Sequence, residues 1–276
     1  MKRVSAWMLA AAFALALAAC ASAPPDPRAA VVAEFGSTAQ MRVAINLGNP
    51  ILASRSPAGE LQGVSVDLAR EAGRRLGVAV ELVAFNSAGN VVEAVKGRQV
   101  DLAFVAIDPV RAADLEYTAP YVIIEGAYLV RNASPLQRNE DVDRPGTRVV
   151  VGRGSAYDLF LTRELKAASL VRVPTSPEVT HVFLAHNLEV AAGVRQQLEA
   201  DAKRVDGVRL LPGRFMVIEQ AMGVPKGRIA TQAWLSAFIE EMKASGFVAD
   251  SLRRHGIEGA GVAPCAGPCK AGARPA

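Results

Sequence analysis

The sequence predicts an α/β protein of two lobes, each a mainly parallel sheet flanked by helices. Three observations carry this expectation. Short apolar runs rich in β-branched residues alternate with stretches of helical periodicity from Met41 onward. The alternation breaks once, in the polar, turn-rich residues 132–145, and then restarts. The chain closes on two helical stretches, residues 229–245 and 248–255, the first with Trp234, Phe238, Ile239 and Met242 on one face.

The elements follow in order. Residues 41–46 form a strand. Residues 64–76 form an amphipathic helix, because Val66, Leu68, Ala69, Ala72 and Leu76 recur near helical spacing and Gly77 stops the run. A strand over 78–84 precedes a helix capped by Asn86 or Ser87 and running to Gly97. Residues 100–107 are a buried strand and 122–130 a long apolar one. After the break come a strand at 148–151, the turn Gly152-Arg153-Gly154-Ser155 and a helix through Lys166. A strand at 170–173, a helix at 177–186, a short strand at 190–193, a helix at 194–202 and a strand-like run at 215–224 complete the second set. Strand, helix, strand is the rhythm of a parallel sheet, and ligands of such folds bind beyond the carboxyl ends of the strands, often between domains. No internal sequence repeat is evident.

The amino terminus is a targeting segment. Lys2 and Arg3 precede an apolar run over residues 7–19, too short to cross about 30 Å of hydrocarbon. Leu17-Ala18-Ala19-Cys20 resembles a bacterial lipobox, which implies cleavage before Cys20 and a lipid on its thiol. Residues 1–19 are then the signal peptide and 20–40 a lipidated cysteine with a flexible Ala/Pro-rich tether. No other apolar run is long enough to span a membrane, so the body is held at a membrane surface through the anchor. Hydrophobic residues make up 51% of the chain, enough for real cores. The net charge of +4 is dispersed, with no basic stripe interleaved with aromatics, which argues against nucleic acid as a partner. Cys265 and Cys269 sit in a Gly/Pro/Ala tail, residues 258–276, expected to be disordered; the pair either closes a small disulfide loop or carries two idle thiols. Nothing completes a metal site, and no cofactor is implied.

Several motifs occur in a familiar order: Gly63-Val64-Ser65-Val66-Asp67-Leu68-Ala69, the run from Gly97 to Asp101-Leu102, Asp108-Pro109-Val110-Arg111, Tyr117-Thr118-Ala119-Pro120-Tyr121 and Gly152-Arg153-Gly154-Ser155. Together they resemble family 3 bacterial extracellular solute-binding proteins, the amino-acid-binding components of ABC importers. The resemblance spans residues 41–256. It implies a type II periplasmic-binding-protein fold whose lobes are joined by two hinge strands, near 126–132 and 215–223. Lobe one would be residues 41–130 plus 223–257, lobe two 131–214, and the second crossing 215–222. The protein would be a periplasmic, membrane-anchored monomer that captures a small carboxylate-bearing ligand, an amino acid or derivative, and delivers it to ABC permease subunits.

The resemblance also assigns a site. Arg111 stands where the family places the arginine that holds the ligand carboxylate, a task suited to a planar, bidentate guanidinium. The turn at Gly154 and Ser155 offers backbone N–H groups at a helix start as the other jaw; Ala156 replaces a hydroxyl residue common in the family, so one donor is missing. Other departures are larger. Asn49, within Asn49-Pro50-Ile51-Leu52, replaces a covering aromatic; Ala106 and Asp108 replace hydroxyl residues before the arginine; Val194 occupies the position of the acid that pairs with the ligand ammonium. A buried ammonium without a partner is costly. Asp108 and Glu125 are the candidate substitutes, although the favoured reading of Asp108 is as a cap on the short helix that follows it. Glu219 and Gln220 either reach the cleft or pair at the hinge.

Two other functions are compatible with the fold. A cyclohexadienyl dehydratase-like enzyme would need a general acid in the cleft; His181, His186 and His255 all fall elsewhere, and no Ser-His-Asp or phosphate-loop pattern appears. A sensory lipoprotein would present its ligand to a separate receptor.

Overall fold

The computed structural model describes residues 26–36 and 40–267. The signal segment, Cys20 and Cys269 lie outside the described residues. Chain order begins with helix α1 (Pro27–Glu34), started by Pro27 and by the Asp26 carboxylate, which accepts the Arg28 N–H at 2.9 Å. Strand β1 (Gln40–Asn46) is followed by a small hairpin, β2 (Ser54–Arg55) and β3 (Leu61–Gln62), then α2 (Val64–Leu76), β4 (Ala79–Phe85), α3 (Ala88–Lys96) and β5 (Leu102–Ala106). Gly77 ends α2 in the left-handed region at φ 69°. Ser87 caps α3, its hydroxyl accepting the Asn90 N–H.

After β6 (Leu115–Tyr117) come β7 (Val122–Arg131), β8 (Arg148–Gly152), α4 (Ala156–Glu164), β9 (Ser169–Val173), α5 (Val179–Ala185), β10 (Val190–Val194), α6 (Arg195–Ala202), β11 (Val208–Leu210) and β12 (Met216–Pro225). Helices α7 (Ile229–Ala244) and α8 (Phe247–Arg254) and the short strand β13 (Gly261–Val262) complete the described chain. No helix among the described residues is long and apolar enough to cross a membrane.

In the first lobe β1 runs parallel to both β4 and β5, while β12 returns antiparallel to β5. In the second, β8 runs parallel to β9 and β10, and β7 lies antiparallel to β10. The two lobes share one curled sheet because β7 and β12 cross side by side, Val122–Gly126 against Met216–Gln220. This pairing puts the first crossing earlier in the chain than the expected 126–132, since the end of β7 is already paired with β10 and β11 inside the second lobe.

Alternation along the strands builds the cores. Val149 and Val151 of β8 pack with Tyr128, Tyr157 and Leu161 on one face, while Val150 packs with Leu129, Phe183 and Leu198 on the other. The first lobe divides likewise: Ile45, Leu68, Phe104 and Phe238 lie on one side of its sheet, and Val91, Val95 and Val105 on the other. Buried on both faces, these strands are continuously apolar.

Two expectations need correction. Residues 20–40 are not tether throughout. Helix α1 buries Val31 and Phe35, and Glu34 accepts the Ala230 and Thr231 N–H groups at the start of α7, at 3.1 and 3.0 Å. Those orphan donors have no partner inside α7, so an outside carboxylate satisfies them. Nor is the tail disordered from residue 258. Strand β13 adds to the edge of β7, Ala263 donates to the Tyr121 carbonyl at 3.1 Å, and the buried Lys243 ammonium donates to the Pro264 carbonyl at 2.9 Å. Of the two readings of the tail cysteines, idle thiols do not hold for Cys265, which is disulfide-bonded.

Candidate functional site

A cleft lies between the lobes at the carboxyl ends of their parallel strands, where α/β proteins place ligands. Asn46, Gly48 and Asn49 reach it from the end of β1, Ala106 and Arg111 from beyond β5, and Ala88 from the start of α3. Across from them stand Ser155, Ala156 and Tyr157 at the start of α4, Ser176 after β9, and Val194 at the end of β10. The floor is Ile218 and Gln220 of β12. The cavity enclosed is about 30 Å3, room for roughly one or two waters. The lobes must therefore part to admit a solute.

Arg111 sits in a short 3-10 turn after β5 and is only 3% exposed. Its Nη1 donates to the Ala106 carbonyl and its Nη2 to the Gly154 carbonyl of the opposite lobe, both at 2.8 Å. Its Nε has no partner among the described residues. Burial pulls its pKa below the usual arginine value, opposed by the nearby Tyr117 and Asp108. Even so displaced, a guanidinium keeps its charge. A buried cation facing neutral oxygens gains most from an anion that can take a planar pair of N–H bonds.

At Gly154 the backbones of the two lobes approach closely. This residue adopts φ 68°, and a Cβ there would lie 3.1 Å from the Gly89 Cα at the start of α3. Glycine is needed at this position on both counts. The jaw is not built as its sequence suggests. The Gly154 N–H is already given to the Asp158 carboxylate at 2.8 Å, and the Ser155 N–H to the Gly152 carbonyl. Ser155 acts as the N-cap, its hydroxyl accepting the Asp158 N–H at 3.0 Å. The Ala156 and Tyr157 N–H groups, in the first turn of α4, make no hydrogen bond among the described residues and remain for a ligand.

Of the proposed site residues, Arg111, Ala106, Asn49, Ser155 and Ala156 line the cavity, and Gly154 touches it through the Arg111 contact. Asn49 is 7% exposed and its Oδ1 has no partner among the described residues.

The two substitute acids are not at the site. The Asp108 carboxylate accepts the Val110 N–H at 2.8 Å and pairs with Arg163 of the other lobe at 3.0 Å. It closes a turn just ahead of the 3-10 helix, whose own cap position is Val110, and it ties the two lobes together. Glu125 points away from the cleft and pairs with Arg195 and Arg214, each at 2.8 Å. Arg214 and Arg195 hold its carboxyl below the usual range. Both charges are satisfied where they stand, so neither reads a ligand. Glu219 faces solvent, whereas Gln220 is 6% exposed and lines the floor.

Several cleft residues went unread in the sequence, among them Tyr157, Ser176 and Asp158. Asp158 had a signal: it stands three residues after Ser155, the spacing of a capping box. Ser176 had none, because only the curl of the sheet brings the β9–α5 connection to the cleft.

The model of the bacterial extracellular solute-binding proteins, family 3, matches residues 41–257. The chain belongs to this family. It is 22% identical over 224 residues to an L-arginine-binding protein of Pseudomonas aeruginosa, covering 77% of this chain and 86% of that one. Among solved structures, a mutant ArgBP from T. maritima superimposes with a TM-score of 0.71 at 18% identity, covering 81% of this chain and 98% of that one. The solute receptor for L-cysteine of Neisseria gonorrhoeae also gives a TM-score of 0.71, at 21% identity and with 82% and 92% coverage. These likenesses establish the type II periplasmic-binding-protein fold, and the family places the solute-binding protein outside the cytoplasm.

Proposed function

We propose that this solute-binding protein captures a small carboxylate-bearing ligand, an amino acid or derivative, and delivers it to an ABC importer from a periplasmic, lipid-anchored position. The observation that carries this reading is Arg111, a buried cation in the interlobe cleft whose contacts are two neutral carbonyls and whose Nε is unpaired. The amino-acid-binding relatives support the ligand class. The two lobes would close on the ligand by bending where β7 and β12 cross, Val122–Gly126 against Met216–Gln220. The importer, the monomeric state and the lipid on Cys20 rest on the family and on the lipobox-like sequence; the intact mass of the Cys20 peptide tests the lipid.

Binding is preferred over a dehydratase-like activity because, among the described residues, no His, Asp or Glu lines the cavity to act as general acid. Incubation with prephenate or arogenate should yield no product.

Thermal unfolding against a panel of small carboxylates tests the main claim. A ligand at 100 times its dissociation constant raises stability by about 2.7 kcal/mol. Arg111→Ala should abolish the shift. Stabilisation that survives in this variant would overturn carboxylate capture by Arg111.

A further inference from the structure

The charge balance of the closed cleft constrains its ligand more tightly than the family does. Arg111 is the sole formally charged side chain among the lining residues. Every carboxylate near it is committed elsewhere. Asp108 is held by the Val110 N–H and Arg163, Asp158 by the Gly154 N–H and Arg172, and Glu125 by Arg195 and Arg214. Val194, at the position expected to carry an acid, presents only methyl groups to the cavity. A monoanion brings the closed site to neutrality. A zwitterionic amino acid brings one negative and one positive charge, and so leaves the site with a net positive charge away from water, the arrangement that buried ionic groups avoid.

The uncharged polar groups indicate what replaces the ammonium. Asn49 Oδ1 is buried and unpartnered, and the Gln220 amide, 6% exposed on the floor, makes no side-chain hydrogen bond among the described residues. The Ser176 hydroxyl lines the opposite wall, where it already bonds the Tyr157 phenol. Amides and a hydroxyl can donate to or accept from an uncharged oxygen and satisfy it fully. They offer an ammonium hydrogen bonds but no countercharge.

We propose that the captured solute is a carboxylate bearing a hydroxyl or oxo oxygen, and no ammonium, on the carbon next to the carboxyl group. This rests on carboxylate capture by Arg111. The carboxylate takes the guanidinium and the free Ala156 and Tyr157 N–H groups, and the neighbouring oxygen meets the Asn49 and Gln220 amides. Val194 is then the residue that sets the choice between amino acid and oxygen analogue.

Matched triads test this: the L-α-amino acid, the L-2-hydroxy acid and the 2-oxo acid sharing the side chains of alanine, leucine, phenylalanine, cysteine, glutamate and arginine, measured by titration calorimetry on the purified protein. For the side chain that fits, the hydroxy or oxo acid should bind at least tenfold tighter than the amino acid. Val194→Asp should narrow or reverse that ratio by at least tenfold, and by clearly more than Val194→Asn, a hydrogen-bonding residue without charge. The substituted position is the N-cap of α6 and lacks a capping side chain, so aspartate and asparagine are compatible with the helix start. An amino acid binding the native protein as tightly as its oxygen analogues overturns the proposal while leaving carboxylate capture intact. Binding of no member of any triad overturns both.

Discussion

Arg111 and Asp158 are opposite solutions to the same problem, a buried charge beside a cleft. Asp158 is 3% exposed and its oxygens are fully engaged: Oδ2 accepts the Gly154 N–H at 2.8 Å and Oδ1 the Arg172 Nε at 2.9 Å. It fixes the turn against which the guanidinium rests. Arg111 keeps a donor open. Asp158→Ala should therefore lower stability by about 1–3 kcal/mol, the penalty of leaving buried partners unsatisfied, and a urea unfolding curve measures it. Retained stability would mean that water or Ser155 takes over the Gly154 N–H. The sequence singled out Arg111 through a motif resembling the family's, and the fold brings that arginine to the cleft. It misassigned Asp108 and Glu125 because a carboxylate in an apolar run signals only that a partner exists. The partners, Arg163, Arg195 and Arg214, are 55, 70 and 89 residues along the chain, from the numbering in the sequence.

At the scale of elements, periodicity placed α2 over the residues it occupies and located the other long helices and central strands to within a few positions. It failed for α1 and β13, which are stable only through what they touch. An eight-residue helix is marginal on its own; α1 exists because Val31 enters the first core and Glu34 caps α7. Strand β13 is a two-residue addition to an edge that would otherwise be unpaired. Ionic ties add to the apolar packing of the long helices. Glu71 of α2 bonds Arg74 and Arg75, and Arg75 reaches Glu241 of α7 at 2.6 Å. Hydrogen bonding from Arg74, with Arg75 helping against partial burial, lowers the Glu71 carboxyl from 4.5 to about 2. A depressed carboxylate contributes stability that is fully present above its unfolded value and lost as pH falls through its folded one. The native protein should thus lose an increment between about pH 4.5 and pH 2 that Glu71→Gln does not lose. Melting temperatures across that window measure the difference, and parallel acid limbs would remove Glu71 from the account.

For the whole molecule, the contacts that hold the lobes together also compete with the ligand. The Arg111 Nη2 bond to the Gly154 carbonyl occupies a donor the carboxylate needs, and the cavity of about 30 Å3 is too small to admit a solute without opening. The Asp108–Arg163 pair spans the same cleft at 3.0 Å outside the cavity, so it favours closure without blocking the site. These two ties act differently on binding. Losing the first would free a donor but remove the anchor; losing the second changes only the balance between open and closed forms. Affinity falls with the fraction of molecules in the binding-competent form. Because the Arg163 side chain is 36% exposed, solvent screens its charge, and the tie is worth no more than about 1 kcal/mol. Arg163→Ala should weaken ligand binding by up to about fivefold and enlarge the radius of gyration of the free protein in small-angle scattering. The ligand-bound radius should not change, since the ligand then supplies the closure. A variant with unaltered affinity and an unaltered free radius would show that the crossing of β7 and β12, rather than this ion pair, sets the resting angle between the lobes.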